Sequence, residues 1–435
     1  MFGLFLILPV FVLYAPGLEG ATPLTVGIAL GAYGLTQAVL QVPFGMLSDR
    51  YGRKRMLSIG LLLFVFGSVV AALSSSIEGI ILGRAIQGTG AISAVVLATL
   101  SDLTREQTRT KAMAVVGVSI GFSFLLALML GSSLVQWHGL SGLFWITACL
   151  AAAAVLVVWL TVPTATRVSA SVEIQPVRSQ ISAVLFNRQL QGLNLGIFVL
   201  HMTLMALFIA VPVGLRDILD LVSASHWQFY VPVLVCSVFG MVPLLIYGMR
   251  RHRTFAVFRL AIALLLAAQL ILIIGTDQVA FLIAGVWLFF VGFNLLEAML
   301  PSLMSRLAPA ASKGTALGIY NTFQFLGVFA GGVVGGLMYG TWGVAGVYGF
   351  AACAVFVWLV LALSTSAPVL LESLTLRLAD TADQEERDVL QRLSQAPGVR
   401  EAVILPGRDL VYLKVDPAEV DEDALREIDG VVAVD

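Results

Sequence analysis

Two ionisable side chains lie where ionisation is expensive. Arg84 sits in Leu82-Gly83-Arg84-Ala85-Ile86-Gln87-Gly88-Thr89-Gly90, and Glu297 in Phe293-Asn294-Leu295-Leu296-Glu297, each within an apolar run. A charge inside a bilayer is costly, faces a cavity or a partner, and often marks a substrate or proton path. A carboxyl group at a low-dielectric site is readily neutralised by a proton, so Glu297 suits reversible proton binding. A carboxylate that only bonds a neighbouring helix is the alternative, as is a fixed structural cation for Arg84. Gln37, Gln41, His201, Asn294, Asn321 and Gln324 lie in similar runs. Each either lines a cavity or bonds across helices, at about 0.6 kcal/mol apiece. For His201 the structural role is the first reading.

Other chemistries lack residues. Cys149, Cys236 and Cys353 are far apart, each inside an apolar span, and read as small packing residues. There is no CxxC or His-rich metal spacing, so no metal and no cofactor is expected. No basic stripe suggests nucleic acid, and no catalytic constellation suggests an enzyme.

The elements that position these residues follow from composition. The chain is 59% hydrophobic and 12% charged, with a mean hydropathy of +0.96. Soluble domains carry about 25% charged residues, so lipid must cover this surface. Apolar runs predict spans at 2–16, 24–47, 56–74, 77–100, 111–135, 142–162, 192–214, 227–247, 254–275, 278–303, 313–337 and 343–366. The first is shorter than the roughly 20 residues a spanning helix needs, and reads as a span whose first turns are missing. It has neither the basic flank nor the cleavage site of a signal peptide.

Loop charge sets the orientation. Arg50, Arg53, Lys54, Arg55, Arg105, Arg109, Lys111, Arg167, Arg178, Arg188, Arg250, Arg251, Arg253, Arg306 and Lys313 fall in alternate loops, and the other set holds only Arg216. Positive loops stay in the cytoplasm, which puts both termini there and requires an even number of spans. The halves repeat: Val42-Pro43 before Asp49-Arg50 returns as Val242-Pro243 before Met249-Arg250, and Lys111-Ala112-Met113-Ala114 as Lys313-Gly314-Thr315-Ala316. Parallel repeats of six spans are a transporter architecture. The expected organisation is a six-helix bundle at 1–162, a cytoplasmic linker at 163–191 with a surface helix near 180–191, a second bundle at 192–366 and a soluble tail at 367–435.

The most specific motif is Gly45-Met46-Leu47-Ser48-Asp49-Arg50-Tyr51-Gly52-Arg53-Lys54-Arg55, the turn between spans two and three. Gly45 would admit a close helix, and Gly52 can adopt a positive φ. Asp49 can pair with an Arg or face a helix N-terminus. The motif resembles the signature of the major facilitator superfamily, the Arg84 stretch is similar to that family too, and Gly3 to Pro9-Val10 is similar to its drug/proton antiporter branch. With Leu300-Pro301-Ser302 and the Glu297 stretch, the chain looks like the YajR type of efflux transporter, which carries a small C-terminal domain. The resemblance implies a conformational motif of Gly45, Asp49, Arg50, Gly52, Arg53 and Asp102, with Asp49 latching onto the start of span eleven when the cytoplasmic side closes. One departure is Gly131-Ser132-Ser133 in span five, where many proton antiporters carry Gly-Pro.

The tail alternates as strand 369–377, helix 382–395, strands 399–405 and 410–415 around a turn at 406–409, helix 421–428 and strand 431–434. The order βαββαβ is the ferredoxin-like plan. It looks like a heavy-metal-associated domain without its ligand cysteines. Regulation, self-association or a structural role stay open for it. The expectation is an all-α transporter of the bacterial inner membrane with an α+β tail, working with small molecules and protons. A uniporter or importer of the same fold, and a sensor signalling through its tail, are the rivals.

Overall fold

The computed structural model describes all residues except 1, 105, 164–176, 252, 310–312, 366–371, 379–382, 405–409, 417–418, 421–424, 426–430 and 435. The chain opens with two short helices, α1 (Phe2–Phe5) and α2 (Phe11–Tyr14). The long helices follow as α3 (Pro23–Tyr51), α4 (Arg53–Leu73), α5 (Ile77–Thr89), α6 (Ile92–Leu103) and α7 (Glu106–Thr161). After α8 (Val177–Phe186) come α9 (Arg188–Asp217), α10 (Trp227–Arg250), α11 (Thr254–Ile274), α12 (Val279–Leu307) and α13 (Lys313–Ser364).

Among the described residues, nine helical stretches are long and apolar enough to cross a membrane. Two of them are pairs. Non-helical Gly139, at φ 66°, divides α7, and Gly343, at φ 63°, divides α13. Both glycines stand in the left-handed region where an L side chain is strained. They separate spans five from six and eleven from twelve, at matching places in the two halves.

Local chemistry sets several boundaries. Thr22 and Thr25 form a reciprocal capping box at the start of α3, with Pro23 in its first turn, so the orphan amides there are satisfied. Gly52, at φ 94°, ends α3 and starts α4. Asn187 Oδ1 accepts from the backbone amides of Gln189 and Leu190 at 3.0 and 3.3 Å.

Three expectations need correction. The first segment is not one continuous helix: it breaks between Phe5 and Phe11, around Pro9, which lacks an amide hydrogen. Span four breaks at Ala91, at φ 31°, between α5 and α6. There the Gly60 and Gly90 backbones meet so closely that a Cβ on Gly60 would lie 2.3 Å from the Gly90 oxygen. The surface helix expected near 180–191 runs instead over Val177–Phe186, and Asn187 caps the next helix, so span seven begins at Arg188.

The chain forms two compact units. One comprises Met1–Ser169, Asn194–Ala298 and Gly318–Ser364; the other comprises Ala170–Leu193, Met299–Leu317 and Thr365–Asp435. In the second unit, β1 (Glu372–Leu378), α14 (Asp383–Gln395), β2 (Val399–Ile404), β3 (Leu410–Val415) and β4 (Val431–Val434) build a small α+β fold. The sheet order is β2-β3-β1-β4, with antiparallel neighbours. Leu374 faces Leu413 across the ladder, and Leu376 faces Val411. Leu376, Val411, Leu413 and Val415 pack with Val389 and Leu393 of α14 and with Leu425. This is the ferredoxin-like arrangement. The expected turn at 406–409 lies outside the described residues, as does the 421–428 helix apart from Leu425.

Candidate functional site

Three helices bring the central polar residues together. His201 comes from α9, Glu297 from α12 and Gln324 from the first arm of α13. His201 Nε2 lies 3.8 Å from Glu297 Oε2 and 2.8 Å from Gln324 Nε2. His201 Nδ1 lies 3.3 Å from the Ile197 carbonyl oxygen. With the Gln324 nitrogen facing the ring, a neutral imidazole satisfies both contacts, Nδ1–H donating to Ile197 and Nε2 accepting from the Gln324 amide. A proton on Nε2 would reverse that last bond. Gln324 would then turn its carbonyl to His201, or Nε2–H would swing toward Glu297.

Glu297 has two faces. Its side chain is 41% exposed, yet Oε2 is fully covered and makes no hydrogen bond among the described residues. One oxygen therefore looks into open space and the other toward His201. The Tyr320 hydroxyl, one turn before Gln324, is also buried and makes no hydrogen bond among the described residues. Aromatic rings frame the cluster: Phe293 lies 5.8 Å from the His201 ring and stacks on Phe289 at 5.9 Å. Asn294 donates to Ser237 Oγ of α10 at 2.9 Å. Asn321 is half-buried on α13.

The other candidates fall elsewhere. Arg84 is 1% exposed and does not join the Glu297 cluster. Its guanidinium donates to Gln87 Oε1 at 2.9 Å and to the carbonyls of Ala29 and Leu30 at 3.4 and 3.5 Å. It also lies 5.2 Å from the centre of the Tyr33 ring, a cation–π distance. Gln87 in turn donates to Ser68 at 2.7 Å. Among the described residues no carboxylate pairs with Arg84, so neutral acceptors satisfy the charge. Gln37 bridges to Gln41 at 3.2 Å and to Ser93 at 3.0 Å.

At the Arg-rich turn, Arg53 stands between two carboxylates. It reaches Asp49 at 2.5 Å and Asp102 at 2.8 Å, and donates to Ser48 Oγ at 2.5 Å. Asp49 remains 58% exposed. Arg50 lies over the Tyr51 ring at 5.5 Å. Gly45 meets only ordinary contact, its added Cβ lying 3.8 Å from that of Ala94, so the close helix approach expected there is not made in this conformation.

Sequence reasoning missed the packing at the opposite ends of these helices. A Cβ on Gly27 would fall 2.1 Å from the Gly332 oxygen, and one on Gly336 2.4 Å from the Pro23 oxygen. Thus α3 and α13, one from each half, touch backbone to backbone from Pro23 to Gly34, about three turns. Among the described residues, nothing lies within 4 Å of an added Cβ on Gly117, Gly121 or Gly318. The backbones of α3 and α13 are in direct contact toward the Pro23 end. The signal was in the sequence, as Gly27, Gly31 and Gly34 opposite Gly332 and Gly336 at helical spacing.

The sequence pattern of the Major Facilitator Superfamily matches residues 1–332. The chain belongs to the major facilitator superfamily. It is 44% identical over 418 residues to the inner membrane transport protein YajR of Escherichia coli K12, across 96% of this chain and 91% of that protein. It is 25% identical over 331 residues to multidrug resistance protein 1 of Bacillus subtilis 168, across 72% of this chain and 80% of that one. Among solved structures, a D-xylose-proton symporter superposes with a TM-score of 0.66 at 18% identity, covering 84% of this chain and 96% of the symporter. This superfamily member is thus a multi-pass membrane transporter with a small α+β tail.

Proposed function

We propose that this transporter exports small amphipathic compounds in exchange for protons, and that Glu297 is the protonation site. The observation that carries this reading is the His201–Glu297–Gln324 cluster. It holds an ionisable carboxylate, half open, beside an imidazole whose hydrogen bonds can reverse. The resemblance to a multidrug resistance protein supports export of amphipathic molecules. The protein works in the bacterial inner membrane with both termini in the cytoplasm, as the loop charges suggest. On that orientation the seal between Gly27 and Gly332 closes the outer side, and the conformation is inward-facing. Rocking of the bundles at 1–162 and 192–366 then alternates access. Asp49, Arg53 and Asp102 govern that movement.

The test is flux in proteoliposomes with and without a pH gradient, for a panel of amphipathic compounds. Glu297→Gln keeps size and most hydrogen bonding but cannot ionise. We expect it to bind substrate and lose gradient-driven flux by about a hundredfold or more, the range of a lost proton-transfer group. Unchanged pH-dependent flux in this variant would remove Glu297 from the mechanism. Flux indifferent to pH in the unaltered protein would favour a uniporter.

A further inference from the structure

The tail buries a lysine that its own fold does not need. Lys414 lies on β3 between Leu413 and Val415, both of which point into the tail core. Strand alternation sends Lys414 out of the opposite face. A lysine on such a face is normally solvated, yet Lys414 is 4% exposed. Its Nζ donates to the Arg306 carbonyl oxygen at 2.9 Å and also to that of Ala308. These carbonyls end α12, where the last four acceptors of a helix lack intrahelical donors and the dipole is negative. An ammonium removed from water is costly unless hydrogen-bonded. The contact therefore meets two needs at once, capping the helix and satisfying the buried cation.

We infer that the face of the tail sheet bearing Lys414 is an interaction surface whose partner is the end of α12 in the same chain. The domain is a clamp on this helix rather than a tethered passenger. The clamped helix also carries Glu297, nine residues before Arg306, or about 13 Å along the axis. Whatever binds the tail and displaces Lys414 frees the end of the helix that bears the central carboxylate. The inference does not depend on what is transported or on proton coupling.

The test uses full-length protein with Cys149, Cys236 and Cys353 replaced, and spin labels at Ser305→Cys on α12 and Gln391→Cys on α14. Pulsed dipolar spectroscopy should give one narrow distance distribution. Lys414→Met keeps the aliphatic stem but no donor, and should broaden the distribution severalfold while the protein stays monodisperse. Lys414→Arg keeps donors and should remain narrow. A broad distribution in the protein with Lys414 intact overturns the clamp without reference to any variant. So does a Lys414→Met distribution identical to that of the unaltered protein. Singly labelled chains that show a distance between copies would assign the face to self-association and overturn the intramolecular partner.

Discussion

The two halves of the membrane region share a scaffold and differ in where they put charge. Lys54, at the start of span three, donates to the carbonyls of Trp159 and Val162 at the end of span six, at 2.9 and 3.0 Å. Arg259, in span nine, donates to the Ala362 carbonyl at the end of span twelve, at 3.0 Å. Gln37 bonds Ser93 between spans two and four at 3.0 Å, and Asn294 bonds Ser237 between spans ten and eight at 2.9 Å. Donor and acceptor have exchanged helices, but the bridge survives. These pairs fix helix against helix and belong to the repeat.

The interior charges do not repeat. The first half buries Arg84 beneath Tyr33 and saturates it with neutral acceptors. The second half fills the corresponding stretch with Phe289, Phe290 and Phe293, and leaves Glu297 half exposed one turn further on. A charge that is enclosed and fully bonded stiffens its surroundings, because moving it would strand buried acceptors. A charge with one free oxygen can gain or lose a proton without dismantling the helices around it. With Glu297 as the proposed protonation site, the first half would be the fixed frame and the second the responsive one.

The largest expected effect is on stability. Arg84→Met keeps the bulk but leaves Gln87 Oε1 without its donor and removes the second bonds to the Ala29 and Leu30 carbonyls, which should cost about 1–3 kcal/mol. Glu297→Gln should stay within about 0.5 kcal/mol of the unaltered protein. Unfolding in detergent, followed by denaturant or heat, compares the two. Equal losses would erase the distinction between frame and responsive half.

A middle effect concerns the turn, which the second half lacks in this form: Arg250, Arg251 and Arg253 remain there without the aspartate. In the present conformation Asp49 meets only Arg53 among the described ion pairs, and with Asp49 exposed such a pair is worth about 0–1 kcal/mol. The latch expected from the motif would act in the opposite state, through a helix dipole worth up to about 2 kcal/mol, or roughly thirtyfold in population. Asp49→Asn should therefore enrich the state sealed at Gly27–Gly332. Spin-label distances between the Arg-rich ends of the two halves measure this, and unchanged distributions would reduce the turn to a topological signal.

The smallest effect tests the shared scaffold. Lys54→Met and Arg259→Met each remove a cation from a helix C-terminus, and each should cost about 0.3–1 kcal/mol. Similar losses support equivalent roles. A loss confined to one half would show that the repeat is geometric but not energetic at these ends.

What the sequence determined by itself is what short-range physics controls. Spans follow from runs of apolar residues, because lipid contact demands them locally. The capping box at Thr22 and the positive φ at Gly52 follow from single residue types. The strand and helix order of the tail follows from its periodicity. The breaks at Pro9 and Ala91 were harder to read, since hydropathy continues across them and only the backbone turns.

Tertiary structure alone decided which polar residues meet. His201, Glu297 and Gln324 lie on three helices far apart in sequence, and hydropathy carries no information about how a helix is rotated about its axis. Arg84 looked as functional as Glu297 for the same reason: burial cost marks a charge as important without naming its partner. Strand alternation places Lys414 on the face away from the tail core, and it reports only on the fold to which the strand belongs. Its burial depends on the carbonyls of Arg306 and Ala308, and those acceptors exist because a helix ends there, a fact of tertiary packing.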